Sequence, residues 1–320
     1  MSRLALVLGA AGIMAALLLI GLALPRWLLF LVTLAASHGI VSVGILVIMR
    51  GGLVSFGQGL VFAIGGYAAA LAFTQLGITD VIVLILIGTA AAALVGAAVG
   101  PLLARYTGIF FGMLTLALSM VAYGVLIKSP AVGGSDGFNI PRGTLFGVRL
   151  EGAGGDYALY ALAILLTGLA ATAVALHTRS ARGLMTRAIH GNGLRVEYLG
   201  TSVQAVMAIN FTIAAALGGL GGALTIVALG HIEPTFAYWT QSGEFVFVAI
   251  LAGSQSVTAV FIASLALELV RSFSNLYFPN TWQMALGLFL LAIILFLPAG
   301  IGSLWAGRRK APATGGETQA

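Results

Sequence analysis

The side chains able to do chemistry are few and scattered. Four histidines, His38, His177, His190 and His231, have no carboxylate at metal-ligand spacing, so no metal or catalytic cluster is visible. The absence of cysteine excludes disulfides, thiolate metal sites and cysteine nucleophiles. No GxxxxGK[ST] phosphate loop is present, so the chain has no nucleotide-hydrolysing machinery of its own. An ion-coupled carrier keeps ionisable residues at membrane depth because they are expensive there and persist for function. Only Glu244 and Glu268 are candidates, and both are expected near the ends of their segments. An enzyme and a self-sufficient carrier are both disfavoured, which leaves a protein whose energy comes from a partner.

The elements that must position these residues are membrane spans. Of 320 residues, 60% are hydrophobic and 8% charged, against about 25% charged in soluble domains, so a water-facing surface cannot be built. A crossing needs about 20 apolar residues, and the runs at 4–24, 27–49, 53–76, 81–103, 109–127, 157–177 and 207–230 supply seven. The stretch 244–270 is broken at 253–256, and reading that break as a turn between two short crossings gives ten spans with the last. The net charge of +6 then reads as orientation rather than nucleic-acid binding. With ten spans, ten Lys and Arg lie inside (Arg3, Arg50, Arg105, Arg179, Arg182, Arg187, Arg195, Arg308, Arg309, Lys310) and five outside (Arg26, Lys128, Arg142, Arg149, Arg271). The expected fold is therefore an all-α polytopic membrane protein of about ten helices with both termini cytoplasmic. Residues 1–310 are expected to form the transmembrane domain and 311–320 a disordered tail, with 128–156 and 231–241 outside and 178–206 inside. Small residues four apart, Gly96 with Gly100 and Ala214 with Gly218 and Gly222, predict close helix approach.

The inner loop holds four arginines and a short helix signal. Asn192 can cap Leu194-Arg195-Val196-Glu197-Tyr198-Leu199, and Gly200 ends it. Val196 and Leu199, three apart, are candidates to enter a groove on a soluble partner; the alternative is an amphipathic strip resting on lipid headgroups. Within the spans, Ser55, Gly57, Gln58 and Gly59 cluster polar and flexible residues at the start of an apolar run. Irregular backbone at membrane depth is tolerated only where protein or a water-filled cavity satisfies it, so this stretch is expected to border a translocation path. Tyr67, Thr115, Ser119 and Asn210 are weaker path candidates, because a lone polar side chain in a span more often makes an interhelical hydrogen bond.

Six motifs in order carry a family resemblance over most of the chain. They are LVSFGQG (53–59) with GGY (65–67), GIFFGMLTLA (108–117), GGSDG (133–137), the loop 183–200, AAALGGLGGA (214–223) and LFLP (295–298). The chain resembles the permease subunits of bacterial branched-chain amino acid ABC importers, specifically the larger, M-type one of the pair. The resemblance implies a type II-like importer permease of the inner membrane, multi-pass and surrounded by lipid. Its implied partners are a second permease subunit as heterodimer, two cytoplasmic ATPase subunits and a periplasmic solute-binding protein. It implies no cofactor in this chain, with ATP and Mg held by the ATPases. The 183–200 loop would be the helix that docks on an ATPase, although His190-Gly191-Asn192-Gly193 departs from the acidic and polar residues commoner there. Branched-chain amino acids are the leading solute; urea, short amides and aromatic acids are alternatives within the family, and an ATP-independent facilitator is the alternative outside it.

Overall fold

The computed structural model describes residues 3–253, 256–279, 281–296 and 300–302. Its described residues form eleven α-helices: α1 (Arg3–Gly21), α2 (Arg26–Met49), α3 (Gln58–Leu76), α4 (Val81–Leu103), α5 (Gly108–Ile127), α6 (Gly152–Thr178), α7 (Ala181–Tyr198), α8 (Val203–Leu229), α9 (Trp239–Ala252), α10 (Val257–Tyr277) and α11 (Trp282–Phe296). Seven of them, α2 to α6, α8 and α10, are long and apolar enough to cross a membrane. The chain is a polytopic, largely helical membrane protein. Shorter apolar helices lie at Ala5–Gly21 and Gln283–Ile293. At 14 residues α9 is about 21 Å long, less than a hydrocarbon core of about 30 Å. It ends at Gly253, with φ +76°, and α10 starts at Val257; the intervening 254 and 255 lie outside the described residues, as do Arg308 to Lys310 and the 311–320 tail.

Helices α2 and α8 form the centre, and α3, α4 and α6 pack around them. Small residues make that possible, as their spacing predicts. A Cβ at Gly222 would overlap the Phe62 carbonyl oxygen, one at Gly96 would overlap the Ala215 methyl, and one at Gly65 would run into Gly219. With almost no side chain between them, the backbones of α3, α4 and α8 come close enough for dispersion contacts along their length.

Outside the helices the chain is not structureless. Within 128–156, β1 (Phe138–Asn139) forms an antiparallel pair, and β2 (Thr144–Leu145) and β3 (Val148–Arg149) form a hairpin. The partner of β1 is β4 (His231–Ile232), so the connection 128–151 and the one following α8 are joined. Asp80 fastens this cap to the bundle: one carboxylate oxygen accepts from the Ile82 and Val83 amides at 2.9 and 3.3 Å, capping α4, and the other accepts from the Phe146 amide at 3.0 Å. These pairs are only two residues long, too short to leave an alternation in the sequence.

Candidate functional site

The backbone from Leu53 to Gly57 is irregular, and α3 starts only at Gln58. This stretch runs alongside the middle of α5, where its polar groups are met by side chains. Thr115 Oγ accepts from the Phe56 amide at 3.1 Å and donates to the Gly112 carbonyl at 2.8 Å. Ser55 Oγ accepts from the Gly57 amide at 3.3 Å. A second break lies opposite, a 3-10 turn at Pro234–Ala237 leading into α9. Ser119 of α5 donates to the Ala237 carbonyl at 2.8 Å, and the Gly59 amide donates to Ser242 of α9 at 2.9 Å. Thr115, Ser119 and Ser242, all buried, thus tie the α2–α3 connection and the turn before α9 to the bundle. Ser242 lies outside the residues singled out above, because a lone serine in an apolar segment has no pattern.

Ser55, Gly57, Gln58 and Gly59 are all buried within the chain. Gln58 Oε1 has no hydrogen-bond partner among the described residues and lies where a side chain on Gly218 would go. Beside the irregular stretch is an apolar groove of about 520 Å³. Gly52, Val54 and Phe56 form one wall, residues of α5 including Gly112 and Met113 the other, and Trp239 of α9 closes one end. Two of the weaker candidates fall elsewhere. Tyr67 is buried under the β1–β4 cap, its ring edge-on to Phe138. Asn210 donates to Thr186 of α7 at 2.8 Å and meets His177 of α6 at 3.1 Å, joining three helices away from the groove.

The connection between α6 and α8 is longer and more ordered than the six-residue helix expected, forming α7 over Ala181–Tyr198. Ser180 caps α7, its hydroxyl accepting from the Gly183 amide at 3.3 Å. The helix then breaks at Asn192, which is extended (φ −162°, ψ 101°), and Asn192 Oδ1 accepts from the Arg195 amide at 3.1 Å to start the second segment. Gly200, with φ +82°, follows its end. The pairing of Val196 with Leu199 on one face is corrected: Val196 is 4% exposed and packs inward, whereas Leu199 is 83% and Tyr198 88% exposed. Leu199 is already the C-cap, so the helical rotation that would align the two has ended. Leu194, Arg195 and Glu197 are exposed with them.

The other side of α7 touches the irregular stretch. Ile189 packs in a cluster with Leu53, Phe111 and Met207. A Cβ at Gly52, whose φ is +81°, would overlap Nδ1 of His190. Burial, and then the charge of Arg187 on α7, hold the Arg50 guanidinium below its ordinary pKa.

The expectation that the spans lack central ionisable groups and that the histidines stand alone is also corrected. His38, in the middle of α2, meets Glu268 of α10 at 3.2 Å, and Arg271 donates to Glu244 of α9 at 3.0 Å. Helix α10 runs on to Tyr277, which places Glu268 inside the span. A separation of 230 residues between His38 and Glu268 leaves no local signal. Among the described residues, no three His, Asp or Glu are grouped as a metal site.

This architecture, with irregular connections packed against α5 and a kinked polar helix between α6 and α8, can be set against known proteins. The chain is 27% identical over 318 residues to the high-affinity branched-chain amino acid transport system permease protein LivM of Escherichia coli, covering 89% of this chain and 73% of that one. It is 24% identical over 285 residues to the corresponding protein LivH of Salmonella typhimurium, covering 84% and 92%. It is 25% identical over 286 residues to BraD of Pseudomonas aeruginosa, again covering 84% and 92%. No solved structure matches. The family model for the permease component of the branched-chain amino acid transport system matches residues 27–297, from the first turn of α2 to the end of α11, and the chain belongs to that family.

Proposed function

We propose that this chain is the M-type permease subunit of an ATP-driven importer that carries branched-chain amino acids across the bacterial inner membrane into the cytoplasm. It pairs with a second permease, receives solute from a periplasmic binding protein and is driven by two cytoplasmic ATPases that bind the ATP and Mg. The chain itself supplies no hydrolytic chemistry. The observation that carries this reading is α7: one side exposes Leu194, Tyr198 and Leu199, while the other side packs on the irregular stretch 52–57. A soluble engine gripping the first side would pull on the second. The similarity to LivM at 27% against 24% for LivH supports the M-type assignment.

On this reading the chain crosses ten times with both termini inside. Ten inner against four outer Lys and Arg support it, since Arg271, the fifth expected outside, falls within the α10 span, as does the joining of 138–139 to 231–232, which requires those connections to share a side. Residues Ser55, Gly57, Gln58 and Gly59 border the path, half of which is the groove beside α5. Thr115 and Ser119 act as its supports, while Tyr67 and Asn210 hold the ends of the bundle.

The test is uptake of labelled leucine into proteoliposomes carrying both permeases and the ATPases, with binding protein outside and ATP inside. Accumulation that needs both is expected. Equilibration of leucine without ATP would refute the importer reading, and ATP-dependent uptake of urea in place of leucine would overturn the solute.

A further inference from the structure

The His38 cluster is unused by the transport reading. His38 of α2 and Glu268 of α10 meet at 3.2 Å, and Glu244 of α9 and Arg271 of α10 at 3.0 Å. Gln241 Nε2 approaches the same oxygen of Glu244 at 3.4 Å. Glu268 and Arg271 are three residues apart on one face of α10, which brings the two pairs together as one cluster. Two aromatic rings, Phe245 at 5.5 Å and Phe62 at 6.0 Å, wall His38.

Among the described residues, the packed neighbours bring no further charged side chain to the cluster. Within their helical ranges α8 and the described part of α11 carry no ionisable side chain, and α3 carries only Tyr67, under the β1–β4 cap. On α6, Asp156 pairs with Arg142, Tyr157 and Tyr160 donate to α1 carbonyls, and His177 meets Asn210. The charge sum follows. Two ionised carboxylates and one guanidinium, which stays protonated, leave one uncompensated negative charge. Inside a bilayer such a charge is costly. One further proton, on His38 or on a carboxylate, makes the cluster neutral.

We propose that His38, Glu244, Glu268 and Arg271 form a single proton-binding site within the membrane, and that its proton keeps the α9–α10 pair seated on α2. Because α9 also carries Ser242, which holds Gly59, the site positions the segment bordering the groove. The site rests on geometry and charge balance and is independent of which solute is carried or of how transport is driven.

The test is the melting midpoint of the full chain in lipid nanodiscs, followed by tryptophan fluorescence from about pH 6 to about pH 9. For the wild type the midpoint falls as pH rises and the proton is lost. His38→Gln leaves the extra carboxylate without its partner and lowers the midpoint by about 5–10 °C. Glu268→Gln needs no proton for neutrality, so its midpoint no longer falls with pH. The double variant H38Q/E268Q is neutral at every pH; it regains most of the midpoint lost by H38Q and is flat with pH. Should H38Q fail to fold, the comparison of E268Q with the wild type still decides. Equal pH slopes in wild type and E268Q, or a double variant that loses the sum of the single losses, would overturn the proposal.

Discussion

Replacing Leu199 by aspartate separates a docking surface from a packing residue. The side chain is 83% exposed and is the C-cap of α7, so nothing inside the chain depends on it. Full burial of a leucine side chain is worth about 1.5–3 kcal/mol; scaled by that exposure, burial in a partner groove contributes roughly 1.2–2.5 kcal/mol, about 8- to 70-fold in affinity. An aspartate also brings a carboxylate into the groove, and its desolvation adds to the loss. Leu199→Asp should therefore release the ATPases by at least that factor and abolish binding-protein-stimulated ATP hydrolysis. The permease should stay inserted, paired with its sister subunit and unchanged in melting midpoint. Val196→Asp is the contrasting variant: at 4% exposure it places a carboxylate inside the chain's own packing and should destabilise the permease itself. Affinity measured by pull-down of purified ATPase, beside a thermal melt of each permease, reads both effects. If Leu199→Asp hydrolyses ATP and transports like the wild type, α7 is not the docking element and its exposed face rests on lipid.

Further substitutions address the core, the path and the link between them. Gly222→Val presses into the Phe62 carbonyl and should cost about 1–3 kcal/mol or more, seen as a lower melting midpoint, while Gly9→Val, with no atom within 4 Å of its added Cβ, should melt like the wild type. Gln58→Leu removes a buried oxygen that has no partner, so stability should hold or rise while uptake falls; unchanged uptake, with a cysteine at Ser55 shielded from aqueous thiol reagents, would show that the path runs elsewhere. Gly52→Ala must adopt φ +81° at about 1–2 kcal/mol and displace His190, so ATP hydrolysis and leucine uptake should become uncoupled; a normal ratio of solute moved to ATP split would count against the link.

What the sequence carries well is whatever a continuous apolar run or a fixed spacing can encode. The run at 27–49 is α2 to within a residue, 81–103 is α4 and 109–127 is α5 to within a residue. The cap at Asn192 and the stop at Gly200 were legible because local backbone chemistry decides them. Leu53 to Gly57 merged with α3 in the apolar count, although Ser55 to Gly59 carried the mark of irregular backbone. The first half of α7, Ala181 to His190, was hidden because arginines suppress any apolar periodicity while still forming good helix. The His38 cluster was illegible for a different reason. Its members come from three helices, and only packing determines that His38 of α2 faces Glu268 rather than Phe261, which lies against the next residue, Gly39.

The arrangement of irregular backbone explains where a force on α7 can be absorbed. Helices α2, α3, α4 and α8 approach closely at glycines and alanines, so sliding one past another would break many contacts at once. The stretch 53–57 has no helical hydrogen bonds of its own; single bonds to Thr115 and within the segment at Ser55 support it. It therefore yields first when His190 and Ile189 move against Gly52 and Leu53. Bonds of that kind exchange between partners at small net cost, about 0.5–1.5 kcal/mol each, whereas the helical core offers no such alternatives. A displacement imposed at the exposed end of α7 is thus spent on the wall of the groove rather than on the bundle, which is the mechanical requirement for a permease whose energy arrives from outside the membrane.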